Sequence, residues 1–233
     1  MISFWTRLLN LIIPPTCPVC GCRLSAGEQL LCGKCCLHLP RTYYSKNPYD
    51  NELAKAFWVL LPIERATAFF FYEAHSETSQ LIYRLKYRHH PESGRLLGRM
   101  VAREILNDGF FEGIDMLIPV PLAKKRQRQR GYNQSMEIAK GVHEITGIPI
   151  ANDIVIRKHF ADSQTKKDRW QRRENVRDVF SLKDSLAIAQ KHILLIDDVI
   201  TTGATIIACG EQLMKAEGIR ISVLSLGFAK GNT

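Results

Sequence analysis

Apolar positions along this chain switch repeatedly between two periods. Ala66–Tyr72 is a continuous apolar and aromatic run of strand type. Ser76–Tyr87 and Gly94–Leu106 instead carry Leu81 and Leu85, then Leu97, Val101 and Ile105, at helical spacing. Asp115–Leu122 reads as a strand, and Asn133–Thr146 as a helix that Asn133 is placed to cap. Ile154–Val155–Ile156 is a short strand, and Ile193–Ile196 an unbroken apolar run of the kind buried on both faces of a sheet. Thr205–Ala216 reads as a helix and Ile221–Phe228 as a last strand. The alternation predicts an α/β fold, a mainly parallel sheet flanked by helices, with ligands at the carboxyl ends of its strands. These elements fill residues 66–233, behind an amphipathic helix (1–13), a cysteine module (14–40) and a connector (41–65).

In the first segment Phe4, Leu8, Leu11 and Ile12 share one helical face, Arg7 and Asn10 interrupt the apolar run, and Pro14–Pro15 ends it. It is shorter than the ~20 residues needed to span a bilayer. It also lacks the basic start and small-residue cleavage site of an export signal. The expectation is a helix docked on its own protein, no transmembrane segment and a cytoplasmic location.

Six of the seven cysteines lie between Cys17 and Cys36. Cys17-Pro-Val-Cys20 and Cys32-Gly-Lys-Cys35 are paired CxxC knuckles, a spacing that brings four thiolates around one tetrahedral ion. Gly21 and Gly33 suit the turns. A module this small needs such an ion to fold, and a closed four-cysteine shell makes it structural. Zn²⁺ on Cys17, Cys20, Cys32 and Cys35 is therefore expected, against a reduced thiol cluster, an iron–sulfur site or a disulfide pair. Cys36 lacks the two-residue spacing and, with Cys22, is left over.

The chain's 233 residues exceed the ~150 of one domain, and 45% hydrophobic with 24% charged residues excludes wholesale disorder. The formal net charge is +9. From Pro119 through Arg177 there are 14 Lys or Arg and 6 Asp or Glu, so nearly all the surplus falls there. Phosphorylated metabolites, nucleic acid or a membrane surface are the anionic partners this suits.

The strongest chemical signal follows the buried run: Asp197-Asp198-Val-Ile-Thr201-Thr202-Gly203-Ala204-Thr205, then a helix. Two carboxylates at a strand end can accept hydrogen bonds from vicinal sugar hydroxyls or help to hold hydrated Mg²⁺. Hydroxyls and a glycine at a helix start favour a phosphate. Together they match a ribose 5-phosphate. A Walker-B strand also ends in acidic residues, but its GxxxxGK[ST] partner loop is absent from the sequence.

This stretch resembles the phosphoribosyl-pyrophosphate (PRPP) motif of type I phosphoribosyltransferases. Leu81-Ile-Tyr-Arg-Leu-Lys-Tyr87, Pro119-Val-Pro121, Arg130-Gly-Tyr-Asn-Gln134, Arg172-Arg-Glu-Asn-Val176 and the paired CxxC sharpen the resemblance. They point to the ComF family, bacterial proteins associated with DNA-uptake competence that join a zinc-ribbon-like module to such a domain. Ile200 stands where that family usually has an aromatic residue.

The resemblance implies a PRPP site on Asp197, Asp198, Thr201, Thr202, Gly203, Ala204 and Thr205, with Asp197 and Asp198 as the catalytic pair. It further implies a pyrophosphate loop on Val120, Pro121 and Leu122 with Lys124 and Arg126, and a mobile loop carrying Gln164, Lys166, Lys167, Arg169 and Arg172. The reaction implied is transfer of ribose 5-phosphate to an unidentified nitrogen acceptor, with Mg²⁺ and release of pyrophosphate. Glutamine-dependent amide transfer is not expected, because it needs an N-terminal cysteine and this chain begins Met1-Ile2-Ser3. The second class is a nonenzymatic DNA-uptake component that binds single-stranded DNA or competence proteins, with Tyr132 and Trp170 near the basic run able to stack on bases. His75, His89, His90 and His159 have no ligand partner at metal spacing, and Cys209 reads as core.

Overall fold

The computed structural model describes residues 15–87, 90–158 and 179–230. Its main sheet has four parallel strands: β1 (Arg65–Phe71), β2 (Met116–Pro119), β5 (His192–Ile200) and β6 (Arg220–Phe228), in the order β1-β6-β5-β2. Two short strands, β3 (Val155–Arg157) and β4 (Phe180–Leu182), form a separate antiparallel pair. The helices are α1 (Gly33–His38), α2 (Glu52–Lys55), α3 (Glu77–Tyr87), α4 (Pro91–Ile105), α5 (Lys124–Arg130), α6 (Gln134–Thr146) and α7 (Ala204–Leu213).

Strand β5 shows why the sequence folds this way. Ile193, Leu194, Leu195 and Ile196 have no exposed surface. Leu194 and Ile196 enter a core with Leu97 and Val101 of α4 and Ile138 and Val142 of α6. Ile193, Leu195 and Ile200 enter the opposite core with Ile206, Cys209 and Leu213 of α7. A strand covered on both faces has no polar side, so the apolar run is continuous rather than alternating. Each such side chain contributes roughly 1.5–3 kcal/mol by leaving water.

Helices α4 and α6 cross in close contact. A Cβ added to Gly141 would overlap the Arg95 carbonyl, and one added to Gly98 the Ile138 carbonyl. The cysteine module joins the same face, with Leu24, Leu30, Leu31 and Leu39 packed in one core with Phe69 and Phe70. Arg41 clamps it by donating to Glu104 at 2.9 Å, and Arg99 donates to Gln29 at 3.2 Å.

The structure departs from the periodicity in three places. The strand expected over Asp115–Leu122 stops at Pro119, because prolines 119 and 121 supply no ladder N–H. Ile154–Ile156 does not join the parallel sheet. The free edge of β2 is already occupied, since Leu117 donates to the Pro149 carbonyl and Ala151 donates to that of Leu117. Lys124 and Arg126, expected on the pyrophosphate loop, stand instead on a helix, α5, made of good helix formers and closed by Gly131 at φ +80. Gly33 begins α1 with no positive φ, whereas Gly21 does turn, at φ +73. Among the described residues no helix is long and apolar enough to cross a membrane. The amphipathic segment 1–13 lies outside the described residues.

Candidate functional site

The carboxyl end of β5 delivers Asp197 and Asp198 to the rim of the sheet, opposite Ser225 of β6. Asp198 is buried, and its carboxylate meets the Lys86 ammonium of α3 at 3.1 Å. Asp197 accepts from the Ser135 hydroxyl at 3.1 Å and from the Asp198 backbone N–H at 2.8 Å. Burial, and then the adjacent Asp198 charge, push the Asp197 carboxyl up to about 7, and those two hydrogen bonds and Lys86 only partly offset this. Asp197 therefore resists carrying a negative charge beside that of Asp198. A ligand that donates hydroxyls or brings a cation would relieve it.

The chain then turns through Thr201 and Thr202 into α7. Gly203 holds φ +74, and a Cβ there would sit 2.8 Å from the Phe57 ring. Only glycine meets both conditions. Residues Thr201–Ile206, with Asp197, Val199 and Ile200, line a cavity of about 40 Å³ at the helix start. Backbone N–H groups of this first turn have no intrahelical acceptors and face it with the positive end of the helix dipole. The side chain of Ile200 is 2% exposed, pointing into the core rather than at the cavity.

Residues 130–134 tie the site together. Gly131 closes α5, and the Tyr132 hydroxyl donates to the Leu85 carbonyl of α3 at 2.6 Å. Asn133 caps α6 by accepting from the Ser135 N–H and donates its amide to the Val120 carbonyl at 3.0 Å. Gln134 accepts from Arg130 at 2.8 Å, and Ser135 reaches Asp197. One turn thus holds α3, the Val120–Ala123 loop and the carboxylate pair in fixed relation. Tyr132 is half-buried and occupied, so it packs rather than stands free.

Of the pyrophosphate-loop candidates, Val120 is buried with its N–H on the Ile196 carbonyl, while Pro121 and Leu122 are half-buried. Lys124 and Arg126 lie on α5 and are exposed. The mobile-loop candidates Gln164, Lys166, Lys167, Arg169 and Arg172, with Trp170, lie outside the described residues. Sequence reasoning missed Lys86, Ser135 and Phe57. It also missed Arg157 of β3, whose guanidinium lies 5.3 Å over Phe180 and is held below its ordinary range by burial and then by Arg126. The lysine's place in the quoted helix motif was the one available signal.

At the other end of α3, the sulfurs of Cys17, Cys20, Cys32 and Cys35 all lie within 4.8 Å of one another. Four thiolates around a tetrahedral ion at ~2.3 Å stand about 3.8 Å apart, so the cluster can hold a metal. The Cys17 N–H donates to the Cys22 carbonyl and the Gly21 N–H to the Cys17 carbonyl, closing the first knuckle; Cys32 caps α1 in the second. For Cys20, the Cys22 backbone N–H and thiol draw the sulfur toward thiolate. Burial raises the Cys17 thiol, but backbone N–H groups led by that of Cys20 outweigh it. Cys22 approaches Cys20 at 3.2 Å and is pushed up to about 12 by its Cys20 and Cys32 neighbours; burial pushes the Cys35 thiol up as well, so position rather than acidity sets the four clustered sulfurs apart from Cys22. Cys36 faces Arg41 instead. All seven cysteines are free.

Residues 86–229 match the phosphoribosyl transferase domain model. The chain is 32% identical over 155 residues to competence protein F of Haemophilus influenzae, covering 65% of this chain and 68% of that protein. It is 27% identical over 213 residues to the DNA utilization protein YhgH of Escherichia coli (strain K12), covering 90% and 88%. Among solved structures, the glutamine PRPP amidotransferase of Bacillus subtilis, complexed with ADP and GMP, aligns at a TM-score of 0.39 with 20% identity. That alignment covers 58% of this chain and 26% of that one.

Proposed function

The chain belongs to the ComF family and carries a phosphoribosyl transferase domain, and from that premise we propose that it binds PRPP at the end of β5 and transfers ribose 5-phosphate to a nitrogen acceptor. The observation that carries this reading is the join of two half-sites on one short stretch. A carboxylate pair suited to ribose hydroxyls stands next to a glycine turn suited to the 5-phosphate.

The residues divide the work. Asp197 and Asp198 accept the ribose hydroxyls and fix the sugar's orientation. Lys86 compensates the pair's charge and offers a donor to an incoming anionic oxygen. The 203–206 turn grips the phosphate so that C1 of the ribose projects over the pair. The nitrogen lone pair then forms its bond to C1 as the C1–oxygen bond to pyrophosphate breaks. The electron pair leaves with pyrophosphate, and the nitrogen's proton passes to pyrophosphate oxygens or water. Such a step, with oxocarbenium character, depends on positioning and charge management rather than on a nucleophilic side chain. Mg²⁺ suits these hard oxygen donors and, when bound, would neutralise the pyrophosphate, held by Asp197 and Asp198 together with ligand oxygens. Zn²⁺ on the four cysteines would be structural. Free thiols throughout are in keeping with a cytoplasmic setting.

Mg²⁺-PRPP is expected to raise the melting temperature of the wild-type protein, and Asp197→Asn with Asp198→Asn to remove the shift. No shift in the wild type would overturn the ligand assignment.

A second reading is favoured by α5, where Lys124, Lys125, Arg126 and Arg128 stand exposed on two turns, and by the relatives named for competence and DNA utilization. On this reading the protein contacts single-stranded DNA phosphates without catalysis. A steep fall of single-strand affinity with salt is then expected, and a slope near zero would rule out direct phosphate contacts.

A further inference from the structure

Lys86 stands where a cation would bind the carboxylate pair. Its ammonium lies 3.1 Å from the Asp198 carboxylate, with the two side chains 24% and 12% exposed. Among the described residues no other cation is in ion-pair contact with either aspartate. Asp197 accepts from both the Ser135 hydroxyl and the Asp198 backbone N–H on one oxygen, Oδ1.

The helix cannot carry Lys86 away from this position. Leu81 and Leu85 of α3 are buried in the core, and the Leu85 carbonyl accepts from the Tyr132 hydroxyl at 2.6 Å. Gln80, with its amide oriented to satisfy its partners, donates to the Pro18 and Val19 carbonyls at 2.9 and 3.1 Å. With the backbone held at three points, only the ammonium is free to move, on a four-carbon stem with three rotatable donors.

A divalent cation arriving alone must displace this ammonium or bind within a few ångströms of it. Displacement breaks a partly buried ion pair, and coexistence sets like charges together where water screens them poorly. A hard cation held by one or two carboxylates also depends on phosphate oxygens to complete its shell. A cation that arrives on a pyrophosphate group meets neither obstacle. The ammonium passes from Asp198 to a phosphate oxygen, an equally strong charged acceptor, and the carboxylate is released as the cation reaches it.

We propose that Lys86 is a specificity-determining residue: its ammonium holds the cation position beside Asp198, shuts out a free divalent cation, and admits one only together with a pyrophosphate group that takes over the ammonium. That the group belongs to PRPP rests on the phosphoribosyl reading, whereas exclusion of the free cation does not. Cation and anion are thereby coupled through one side chain, and the coupling is reciprocal.

The test titrates the full-length, zinc-loaded protein with Mn²⁺ at pH 8, without PRPP, following the electron paramagnetic resonance signal of the free ion. The wild type is expected to bind Mn²⁺ weakly. Lys86→Met should bind it about tenfold or more tightly, within the ~5–150-fold range of common coupling energies. Lys86→Gln should do the same, and Lys86→Arg, which keeps the charge, should stay close to the wild type. Adding Asp197→Asn and Asp198→Asn to Lys86→Met should abolish the gain. A damaged fold does not raise affinity in this pattern. In melting curves with Mg²⁺-PRPP, Lys86→Met should lose most of the wild-type shift, because the pyrophosphate has lost its ammonium. If neither neutral variant binds Mn²⁺ more tightly than the wild type, if Lys86→Arg gains as much as Lys86→Met, or if the gain survives loss of both aspartates, the assignment is refuted while the PRPP reading stands. If the neutral variants gain Mn²⁺ affinity but the wild type shows no PRPP shift, exclusion of the free cation is upheld and the parent reading fails instead.

Discussion

Asp197 offers the sharpest test of the site's electrostatics. Its carboxyl is raised from 3.8 to about 7 by burial and by the charge of Asp198. The folded protein therefore holds that proton over a range in which the unfolded chain has already released it. As pH rises from about 4 to about 7 the unfolded state binds fewer protons, and folding loses stability through that window. Above about 7 the full cost is present. Three pH units at ~1.4 kcal/mol each give about 4 kcal/mol. The side chain keeps some solvent contact and donors from Ser135 and the Asp198 N–H, so about half of this, ~2 kcal/mol, is the expected size. Asp197→Asn keeps the shape and can still accept both hydrogen bonds, but carries no such cost. In a domain of this length the substitution should raise the melting temperature at pH 8 by about 4–8 °C. The gain should shrink steadily as pH falls to 5 and vanish near 4. Melting curves of both proteins at pH 4, 5, 6, 7 and 8 without ligand provide the measurement. A difference that does not change with pH, or an Asn variant less stable at pH 8, would refute the reasoning. The same variant is expected to lose the PRPP shift, so the site would be more stable when less functional.

Three further outcomes follow from particular contacts. Gly203→Ala forces a left-handed residue against the Phe57 ring and should cost about 2–3 kcal/mol in urea unfolding, with loss of the PRPP shift; an unchanged midpoint would show that the turn relaxes freely. Gly141→Ala sets a methyl into the Arg95 carbonyl at the α4–α6 crossing, and a loss of about 3 kcal/mol is expected in the same assay, despite alanine's better helix propensity. Metal analysis should find one zinc per chain in the wild type and in Cys22→Ser but not in Cys20→Ser, and chelation should lower the melting temperature; zinc lost from the Cys22 variant would move the ligand set.

Two parts of this molecule are readable residue by residue because their chemistry is contiguous. Asp197 to Thr205 carries both proposed half-sites on one strand–turn–helix, so the order of residue types along the chain is already the order in space. The paired knuckles are similar: a two-residue spacing brings two sulfurs to one point whatever surrounds them, and Cys35 rather than Cys36 joins the cluster on that ground alone. The burial of Ile193–Ile196 on both faces was equally legible, since a run without polar positions has no face to give to water.

Packing decided the rest. Lys86 meets Asp198, Ser135 meets Asp197 and Phe57 closes under Gly203 across separations of 62 residues or more. No local pattern encodes such pairs, because each depends on where two cores bring their helices to the rim of the sheet. The connector, which carries no motif, supplies Phe57 and Leu61 to the core beneath Gly203 and α7. Short strands were the hardest to place. Val155–Arg157 has strand chemistry, but which edge was free depended on Pro149–Ala151 reaching β2 first. By itself the sequence determined what chemistry is present, because a motif's spacing is a property of the chain. Only the tertiary structure decided which distant charges and rings complete it, because those contacts exist once apolar burial has fixed the helices in place.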